Sequence, residues 1–409
     1  MLAPRGGKVS LAQDGYITLT DIKPREGKVH NPERTKSHIV PKEGNGDRTR
    51  LALLESGAWQ FFSDAYTKEL PDPKGTPQGI IVSTLSLEPF VARGDVQLAD
   101  RLLEFTRGLE HLQTLLEYQP IYLVVPNVKS ELIRSIKERV RGYAWIKLVA
   151  IPVQYPYDDS NLLARHIGLK KADGPIWSAR TEGVLAVDRA LTAGRPCLTR
   201  LISIGGPGAK DAVHLKAIAG YPIKKIVDDY AKGDVRVING GILAGAEHKS
   251  LGLEAECRGL TLLPEQTERE FLSFVRPGYD RKSYSASFLS SLRGKFAERL
   301  TTSMRGEGRP CVACHYCADI CPAGLSPFLL HKYLYADMIE QVEKARVDLC
   351  VECGLCSYVC PSKIELAGEF IKAKELIEQE KEEIRIEQAR KAALEEAQKL
   401  AKQEKEAAK

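Results

Sequence analysis

Apolar residues between positions 51 and 190 follow two spacings that alternate along the chain. Short uninterrupted apolar runs predict buried strands at residues 80–83, 121–125 and 146–153. Apolar side chains three or four positions apart predict helices near residues 51–62, 98–109 and 132–140. Strands that alternate with helices are typical of an α/β domain with a mostly parallel sheet.

A different pattern follows between residues 198 and 245. Apolar runs predict strands at residues 198–204, 213–217 and 234–238. Between the second and third of these, apolar residues recur at helical spacing and predict a short helix that carries Ile223, Ile226, Val227 and Tyr230. Two strands, a helix and a returning strand make a compact β-grasp-like unit.

The flanking segments have other textures. Glycine and proline break residues 1–50 into short extended pieces, which predicts a small β-rich piece. Residues 265–305 predict amphipathic helix with an interruption at Pro277 and Gly278.

The composition is that of a soluble globular protein, with 43% hydrophobic and 28% charged residues among 409. No apolar run approaches the roughly 20 residues needed to span a bilayer, so we expect at most a peripheral role at a membrane. The net charge of +5 is small for this length, and basic residues form no stripe with interleaved aromatics. We therefore expect no nucleic-acid partner.

Cysteine carries the strongest chemical signal in the chain. Eight of the ten cysteines form two copies of the motif Cys-x-x-Cys-x-x-Cys-x-x-x-Cys-Pro, which is the ligand spacing of two 4Fe-4S clusters. In two-cluster ferredoxins the fourth cysteine of each motif binds the other cluster. We therefore expect one cluster on Cys311, Cys314, Cys317 and Cys360, and a second on Cys350, Cys353, Cys356 and Cys321.

Zinc and disulfide bonds explain the same cysteines less well. Zinc needs only four thiolates per ion and does not require the third cysteine of each motif. The opening residues show no charged and apolar segment of the kind that directs export. Ten cysteines without export indicate a reducing compartment, where disulfide bonds are rare.

Helices are expected after each motif. Ser326 is expected to cap a helix with Pro327 at its first position. A stripe at four-residue spacing should then pack over the clusters, formed by Leu330, Leu334, Met338 and Val342. After Pro361 a matching helix should carry Ile364, Leu366, Phe370 and Ile371. Beyond residue 372, balanced charges predict a frayed, exposed helical tail.

Other candidate chemistry is weak. Residues 240–245 are glycine-rich but lack the spacing of a nucleotide-binding loop, so no flavin or NAD motif is found. Cys197 and Cys257 stand alone and are interpreted as buried structural thiols. His315 lies inside the first motif, where it is a candidate hydrogen-bond donor to a cluster sulfide; an exposed imidazole without a role is the alternative. No catalytic residue is predicted.

Several segments resemble known respiratory proteins. Residues 53–59, residues 80–84 with Glu88 and Pro89, and residues 271–280 resemble NqrA of the sodium-translocating NADH:quinone reductase. The doubled cysteine motif and residues 200–206 are similar to the C subunit of the related Rnf ferredoxin:NAD complex. This resemblance implies a β-rich front piece, a Rossmann-like α/β core, a β-grasp domain of the soluble-ligand-binding type and a helical dicluster ferredoxin domain.

The chain departs from both relatives in its cofactor residues. NqrA characteristically lacks the iron-sulfur ligands, and the Rnf C subunit characteristically carries a Gly-Gly-Ala-Gly-Phe-Pro loop that is missing here. The resemblance implies quinone as a substrate of the NqrA-like body, without naming residues that bind it.

These patterns together predict six parts. They are a partial β barrel-sandwich-like piece at 1–50, an α/β core at 51–190, a β-grasp domain at 191–260, linking helices at 261–305, a two-cluster ferredoxin domain at 306–372 and a charged helical tail at 373–409.

The function that we expect is electron transfer by a peripheral iron-sulfur subunit of a membrane-bound, ion-translocating NADH:quinone oxidoreductase. Its expected partners are quinone and the membrane subunits of an Nqr- or Rnf-type complex, on the cytoplasmic face of the cell membrane. The alternatives are an Rnf-like C subunit that couples NADH and ferredoxin, and a docking module whose clusters only stabilise the fold.

Overall fold

The computed structural model describes residues 8–11, 17–20, 46–98, 100–266, 289–292, 300–303 and 308–407. The chain divides into two compact units. The first comprises residues 1–268 and 299–303, and the second comprises residues 269–298 and 304–409. Among the helices in the described ranges, none is long and apolar enough to cross a membrane.

The N-terminal region contains an antiparallel pair of strands, β1 (Lys8–Leu11) and β2 (Ile17–Thr20). Both were predicted as short strands. The predicted amphipathic helix at residues 265–305 falls largely outside the described residues. Within that range, Leu289–Leu292 forms a 3-10 turn.

The first unit contains a five-stranded sheet. Its strands are β3 (Phe62–Asp64), β4 (Ile80–Ser83), β5 (Ile121–Pro126), β6 (Ile146–Ile151) and β7 (Trp177–Arg180). The sheet order is β3-β7-β4-β5-β6; β7, β4, β5 and β6 are parallel, and β3 pairs antiparallel with β7 at one edge. Ile80 and Val82 pack into one core cluster and Ile81 into another, so β4 is buried on both faces. The predicted strands and their parallel arrangement are confirmed.

Six helices of the described ranges accompany this sheet. They are α1 (Gly46–Glu55), α2 (Gly94–Leu98), α3 (Leu102–Leu115), α4 (Glu131–Val140), α5 (Ser160–Ile167) and α6 (Thr181–Ala193). The single helix predicted at 98–109 is wrong at its start, because Asp100 has a φ of 59° and separates α2 from α3. Helices α3 and α6 approach closely at Gly108, where a Cβ atom would lie 2.4 Å from the carbonyl oxygen of Val184.

The order of this sheet creates a crevice. From β4 the chain continues to β5 and β6 on one side, whereas β7 lies on the other side. The segments that leave the carboxyl ends of β4 and β7 therefore diverge to opposite sides of the sheet, and such a switch point is where open α/β sheets bind ligands.

The second sheet of the first unit is mixed. Its strands are β8 (Thr199–Gly205), β9 (Val213–Ile218), β10 (Val235–Asn239), β11 (Ala246–Glu247) and β12 (Gly259–Pro264), in the order β11-β10-β12-β8-β9. Only the central pair, β12 with β8, is parallel among these strands. Helix α7 (Ile223–Tyr230) buries Ile223 and Ile226 in the same core as Ile202 and Leu260. The predicted strands and short helix are confirmed, and the structure adds β11 and β12.

The second unit is helical where it is described. It contains α8 (Tyr316–Asp319), α9 (Pro327–Tyr335), α10 (Ile339–Lys344), α11 (Leu355–Val359) and α12 (Leu366–Ala407). Its core includes Leu330, Val342, Leu366 and Phe370. The helix predicted after Pro361 is confirmed, with Leu366 and Phe370 buried and Ile364 and Ile371 half-buried. The tail is helical as far as Ala407.

Two expectations for the segment before α12 are wrong. Ser326 occupies the N-cap position and Pro327 begins α9, but the Ser326 side chain accepts no capping hydrogen bond. The predicted apolar stripe is not continuous, because α9 ends at Tyr335 and Asp337 adopts a φ of 54° before α10 begins. Met338 is consequently 44% exposed, while Leu330 and Val342 are fully buried.

Candidate metal centres

The two cysteine motifs have the same backbone conformation. Ala313 and His315 have φ values of 52° and 66°, and the corresponding residues of the second motif, Glu352 and Gly354, have values of 61° and 75°. Left-handed residues between right-handed or extended ones turn successive N–H groups to one side of a loop, which creates a concave site for anions and for iron-sulfur clusters. Both loops therefore have a backbone suited to hold sulfur and sulfide.

Each loop leads into a short helix that carries the third cysteine. Cys317 lies on α8 and Cys356 on α11, and these two thiols are the most buried of the eight. Each helix ends before the fourth cysteine, Cys321 or Cys360, and the chain then turns away at the following proline. The fourth thiol is thus separated from the loop of its own motif.

One cavity is lined by the first three cysteines of the first motif together with the fourth of the second. These residues are Cys311, Cys314, Cys317 and Cys360. Apolar side chains complete the wall, among them Phe328, Ile364 and Leu366. His315 also lines this cavity, and its ring centroid lies 4.1 Å from that of Phe328. Whether His315 bonds to a sulfide stays a prediction.

A second cavity has the reciprocal composition. It is lined by Cys350, Cys353, Cys356 and Cys321, and its apolar wall includes Leu325, Leu355 and Phe370. The eight predicted ligands are therefore brought together as two groups of four, and each group contains one cysteine from the other motif.

The thiols of both groups are perturbed by burial. Burial raises the pKa of Cys317 and of Cys350, and it raises the pKa of Cys353 to about 11 and of Cys356 to about 12. Neighbouring thiols add smaller upward shifts to these pKa values: Cys360 acts on Cys317, and Cys321 acts on Cys356. Buried thiols of this kind release their protons when they bind metal.

The donor set of each cavity fits a 4Fe-4S cluster. Four thiols in an apolar wall supply one ligand for each of four irons. In the described part of the chain, no group of three or more His, Cys, Asp or Glu side chains is close enough to hold one metal ion. A single zinc ion would require four sulfurs at about 2.3 Å, so the wider spacing of the thiols suits the cluster better.

Contacts from outside the motifs fasten the two loops. The Ser357 hydroxyl accepts a hydrogen bond from the Ala367 N–H at 2.9 Å, and the Ser362 hydroxyl donates one to the Pro310 carbonyl at 2.9 Å. Lys374 on α12 donates to the Cys350 carbonyl at 3.2 Å and also contacts the Glu352 carboxylate. Sequence reasoning missed Lys374, because a lysine in a charged helix carries no signal of its position beside a cysteine loop.

The other candidates from the sequence lie away from metal chemistry. Cys197 and Cys257 are buried, with 4% and 1% exposure, and burial raises the pKa of each to about 11. Their interpretation as structural thiols agrees with this environment. In the glycine-rich loop at 240–245, the N–H groups of Leu243 and Ala244 donate to Glu88 at 2.9 and 3.0 Å. A carboxylate of the chain itself therefore occupies two of the donors that a nucleotide phosphate would need.

Comparison with protein families defines the class of the chain. Residues 310–364 match the 4Fe-4S dicluster domain, and residues 45–196 match the NqrA second alpha/beta domain. The fold and the cysteine sites thus define a multidomain α/β protein with a C-terminal ferredoxin-type domain that carries 4Fe-4S clusters.

The relatives are more particular. The chain is a homologue of NqrA of the Na(+)-translocating NADH-quinone reductase over about 80% of its length. It is 28% identical to the NqrA protein of Shewanella denitrificans over 338 residues, which cover 81% of this chain and 73% of the relative. It is 26% identical to that of Shewanella frigidimarina over 335 residues, which cover 80% and 72%.

Among solved structures, the chain resembles an NAD+-reducing NiFe-hydrogenase in the H2-reduced state with a TM-score of 0.45 and 10% identity. The match covers 81% of this chain and 64% of the hydrogenase chain, so this chain spans less than two thirds of it. No functional inference rests on that likeness.

Proposed function

We propose that this chain is the peripheral iron-sulfur electron-transfer subunit of a membrane-bound, ion-translocating NADH:quinone oxidoreductase. The observation that carries the proposal is the composition of the two cavities, each with three cysteines of one motif and the fourth of the other. Its relatives are NqrA proteins of an oxidoreductase of this kind, which supports the choice of complex.

In this proposal, two 4Fe-4S clusters have crossed ligands. Cys311, Cys314, Cys317 and Cys360 hold the first, and Cys350, Cys353, Cys356 and Cys321 hold the second. When bound, such clusters accept and donate single electrons at potentials that net charge, hydrogen bonds to sulfur and exposure to solvent adjust.

The protein side chains and backbone set those conditions. The left-handed loop residues direct N–H groups towards the sulfurs, and the apolar walls limit the approach of water. Lys374 places a positive charge beside Cys350, at the second site. The first site has His315 and Phe328 in its wall instead. We infer that the two clusters differ in potential, as a relay between a donor and an acceptor requires.

The rest of the chain is proposed to bind partners. We propose that the sheet of residues 62–180 is a Rossmann-like core and that the mixed sheet of residues 199–264, with its parallel central pair and single helix, is a β-grasp of the soluble-ligand-binding type. The proposed domain boundaries are those predicted from the sequence. The proposed partners are the membrane subunits of the complex and quinone, at the cytoplasmic face of the membrane.

Anaerobic reconstitution of the full chain with iron and sulfide tests this function. About eight irons and eight sulfides per chain are expected, with electron spin resonance signals of two interacting reduced 4Fe-4S clusters. Substitution of Cys197 or Cys257 by serine is the matched control, and it should leave the iron content unchanged. Bound zinc, or clusters that no physiological donor reduces, would contradict electron transfer and favour a docking module with structural metal.

A further inference from the structure

The first unit contains a cavity of about 130 Å³ at the switch point of its five-stranded sheet. Ser83, at the carboxyl end of β4, lines one side. Arg180, at the carboxyl end of β7, and the first turn of α6 line another. All of the residues around this cavity belong to the first unit, so the site is independent of the cysteine motifs.

The amino end of α6 contributes backbone donors to the cavity. Helix α6 has 13 residues, and the Arg180 side chain at its N-cap position makes no capping hydrogen bond. Thr181, Glu182 and Gly183 form its first turn and line the cavity. The first N–H groups of a helix have no partner within the helix, and the helix dipole places partial positive charge there. Such a terminus favours an anion.

Two side-chain donors at the same place have no partner in the described part of the chain. Thr181 is 1% exposed, and its hydroxyl forms no hydrogen bond. The buried Nε atom of Arg200 also lacks a partner, although another nitrogen of this guanidinium donates to the Gln60 carbonyl at 3.3 Å. Buried polar groups are normally hydrogen-bonded, so these atoms indicate a missing acceptor.

The charges around the cavity favour an anion as that acceptor. Arg180 pairs with Asp158 at 3.3 Å, and Lys68 pairs with Asp159 at 3.2 Å. In contrast, neither Arg200 nor Arg258 forms an ion pair with a carboxylate among the residues that the structure describes. The remaining acidic residues of the wall are Glu69, Glu182 and Glu256.

Arg258 shows the effect of this crowding. Repulsion by Arg180, with burial and repulsion by Arg200, lowers the pKa of Arg258 to about 9. Arg258 is surrounded by protein groups yet remains exposed, because it lines a cavity that is open to solvent. Glu182 relieves little of the excess charge, because burial raises its pKa and its carboxylate already accepts from the Leu201 N–H at 2.9 Å.

We propose that this cavity binds a phosphate group, held by Arg258, Arg200, the Thr181 hydroxyl and the first N–H groups of α6. Guanidinium groups bind phosphate through paired charged hydrogen bonds, and a helix terminus adds backbone donors. Free inorganic phosphate and a phosphomonoester share this chemistry.

Titration calorimetry of the full, cluster-loaded chain at low salt tests the site. The probes are inorganic phosphate, AMP as a phosphomonoester, adenosine as its uncharged counterpart and malate as a carboxylate. Saturable binding of phosphate, of AMP or of both is expected. Tighter binding of AMP than of phosphate identifies an organic phosphate as the ligand, and equal binding identifies phosphate itself. Binding of malate alone, of adenosine as tightly as AMP, or of no probe overturns the proposal.

Variants assign the site to residues. Arg258→Gln should weaken binding about tenfold or more, and Thr181→Val should weaken it several-fold. Arg134→Gln is the matched control, because Arg134 is exposed on α4 and lies outside the cavity. Equal affinities of Arg258→Gln and Arg134→Gln overturn the proposal.

A measurement on the unmodified chain covers the case of a variant that does not fold. Phenylglyoxal modifies arginine, and mass spectrometry locates the modified residues. Phosphate should slow the modification of Arg258 relative to that of Arg134. Equal rates with and without phosphate overturn the proposal.

Discussion

Cys317, the third cysteine of the first motif, lines the same cavity as Cys360, the fourth cysteine of the second motif. The reciprocal relationship joins Cys356 to Cys321. The two halves of the cysteine region therefore complete each other's sites. Loss of metal from one site should loosen a loop that also carries a ligand of the other.

Paired cysteine substitutions should separate crossed from uncrossed ligation. The double variant Cys311→Ser with Cys360→Ser removes two ligands of one proposed cluster and should retain about four irons per chain. The double variant Cys311→Ser with Cys321→Ser removes one ligand from each cluster and should retain markedly less intact cluster. Iron and sulfide analysis with electron spin resonance measures both. The reverse order of cluster content would show that each motif holds its own cluster.

Removal of the Lys374 charge should change the potential of one cluster only. The Lys374 ammonium donates to the Cys350 carbonyl, and a nearby positive charge stabilises the reduced cluster, which carries one more negative charge. Lys374→Met should lower the midpoint potential of the second cluster, on the order of tens of millivolts. A redox titration followed by spin resonance measures this shift.

The control for this prediction is Lys372→Met, because Lys372 is exposed on the same helix. It should change neither potential. An equal shift in both variants would mean that only the total charge of α12 matters, and no shift in Lys374→Met would remove the proposed role of that contact.

Acid should destabilise the first unit through His111. This residue is 8% exposed, and its Nε2 atom lies 3.1 Å from the Thr192 hydroxyl. Burial lowers the pKa of His111, with opposing effects from Asp188 and Glu110. Because the unfolded chain then binds the proton more readily, the stability from neutral His111 is present above the unfolded pKa, about 6.5, and is lost as the pH falls below it.

Urea unfolding at several pH values checks this expectation. All three tryptophans lie in the first unit and report its unfolding. The slope from one proton is at most about 1.4 kcal/mol per pH unit. His111→Gln should reduce the slope between pH 7 and 5, whereas His214→Gln, at an exposed position, should leave it unchanged. An unaltered slope in His111→Gln would assign the acid sensitivity to other groups.

A side chain at Gly108 should destabilise the first unit. Its Cβ atom would lie 2.4 Å from the Val184 carbonyl oxygen, so α3 and α6 would have to separate. Gly108→Ala should cost about 1–3 kcal/mol in the free energy of unfolding, the usual range for overpacking. Gly142→Ala is the control, because no atom lies within 4 Å of its added Cβ. Equal unfolding midpoints would show that the two helices separate without cost.

Much of the local structure follows from the sequence. The run at residues 80–83 predicts β4 because an uninterrupted apolar strand requires cover on both faces, and the structure provides that cover. The break between α9 and α10 was missed, because apolar spacing continues across Asp337 although the backbone there does not remain helical.

The sequence by itself determined the cysteine chemistry, because ligand spacing within a motif is a local property that the chain encodes over a few residues. The tertiary structure alone decided which fourth thiol shares each cavity, that Lys374 lies beside Cys350, and that Arg180, Arg200 and Arg258 converge at one crevice. Residues so far apart meet only because burial of the sheets and helices sets the distances between them, and those distances arise from the packing of the whole unit.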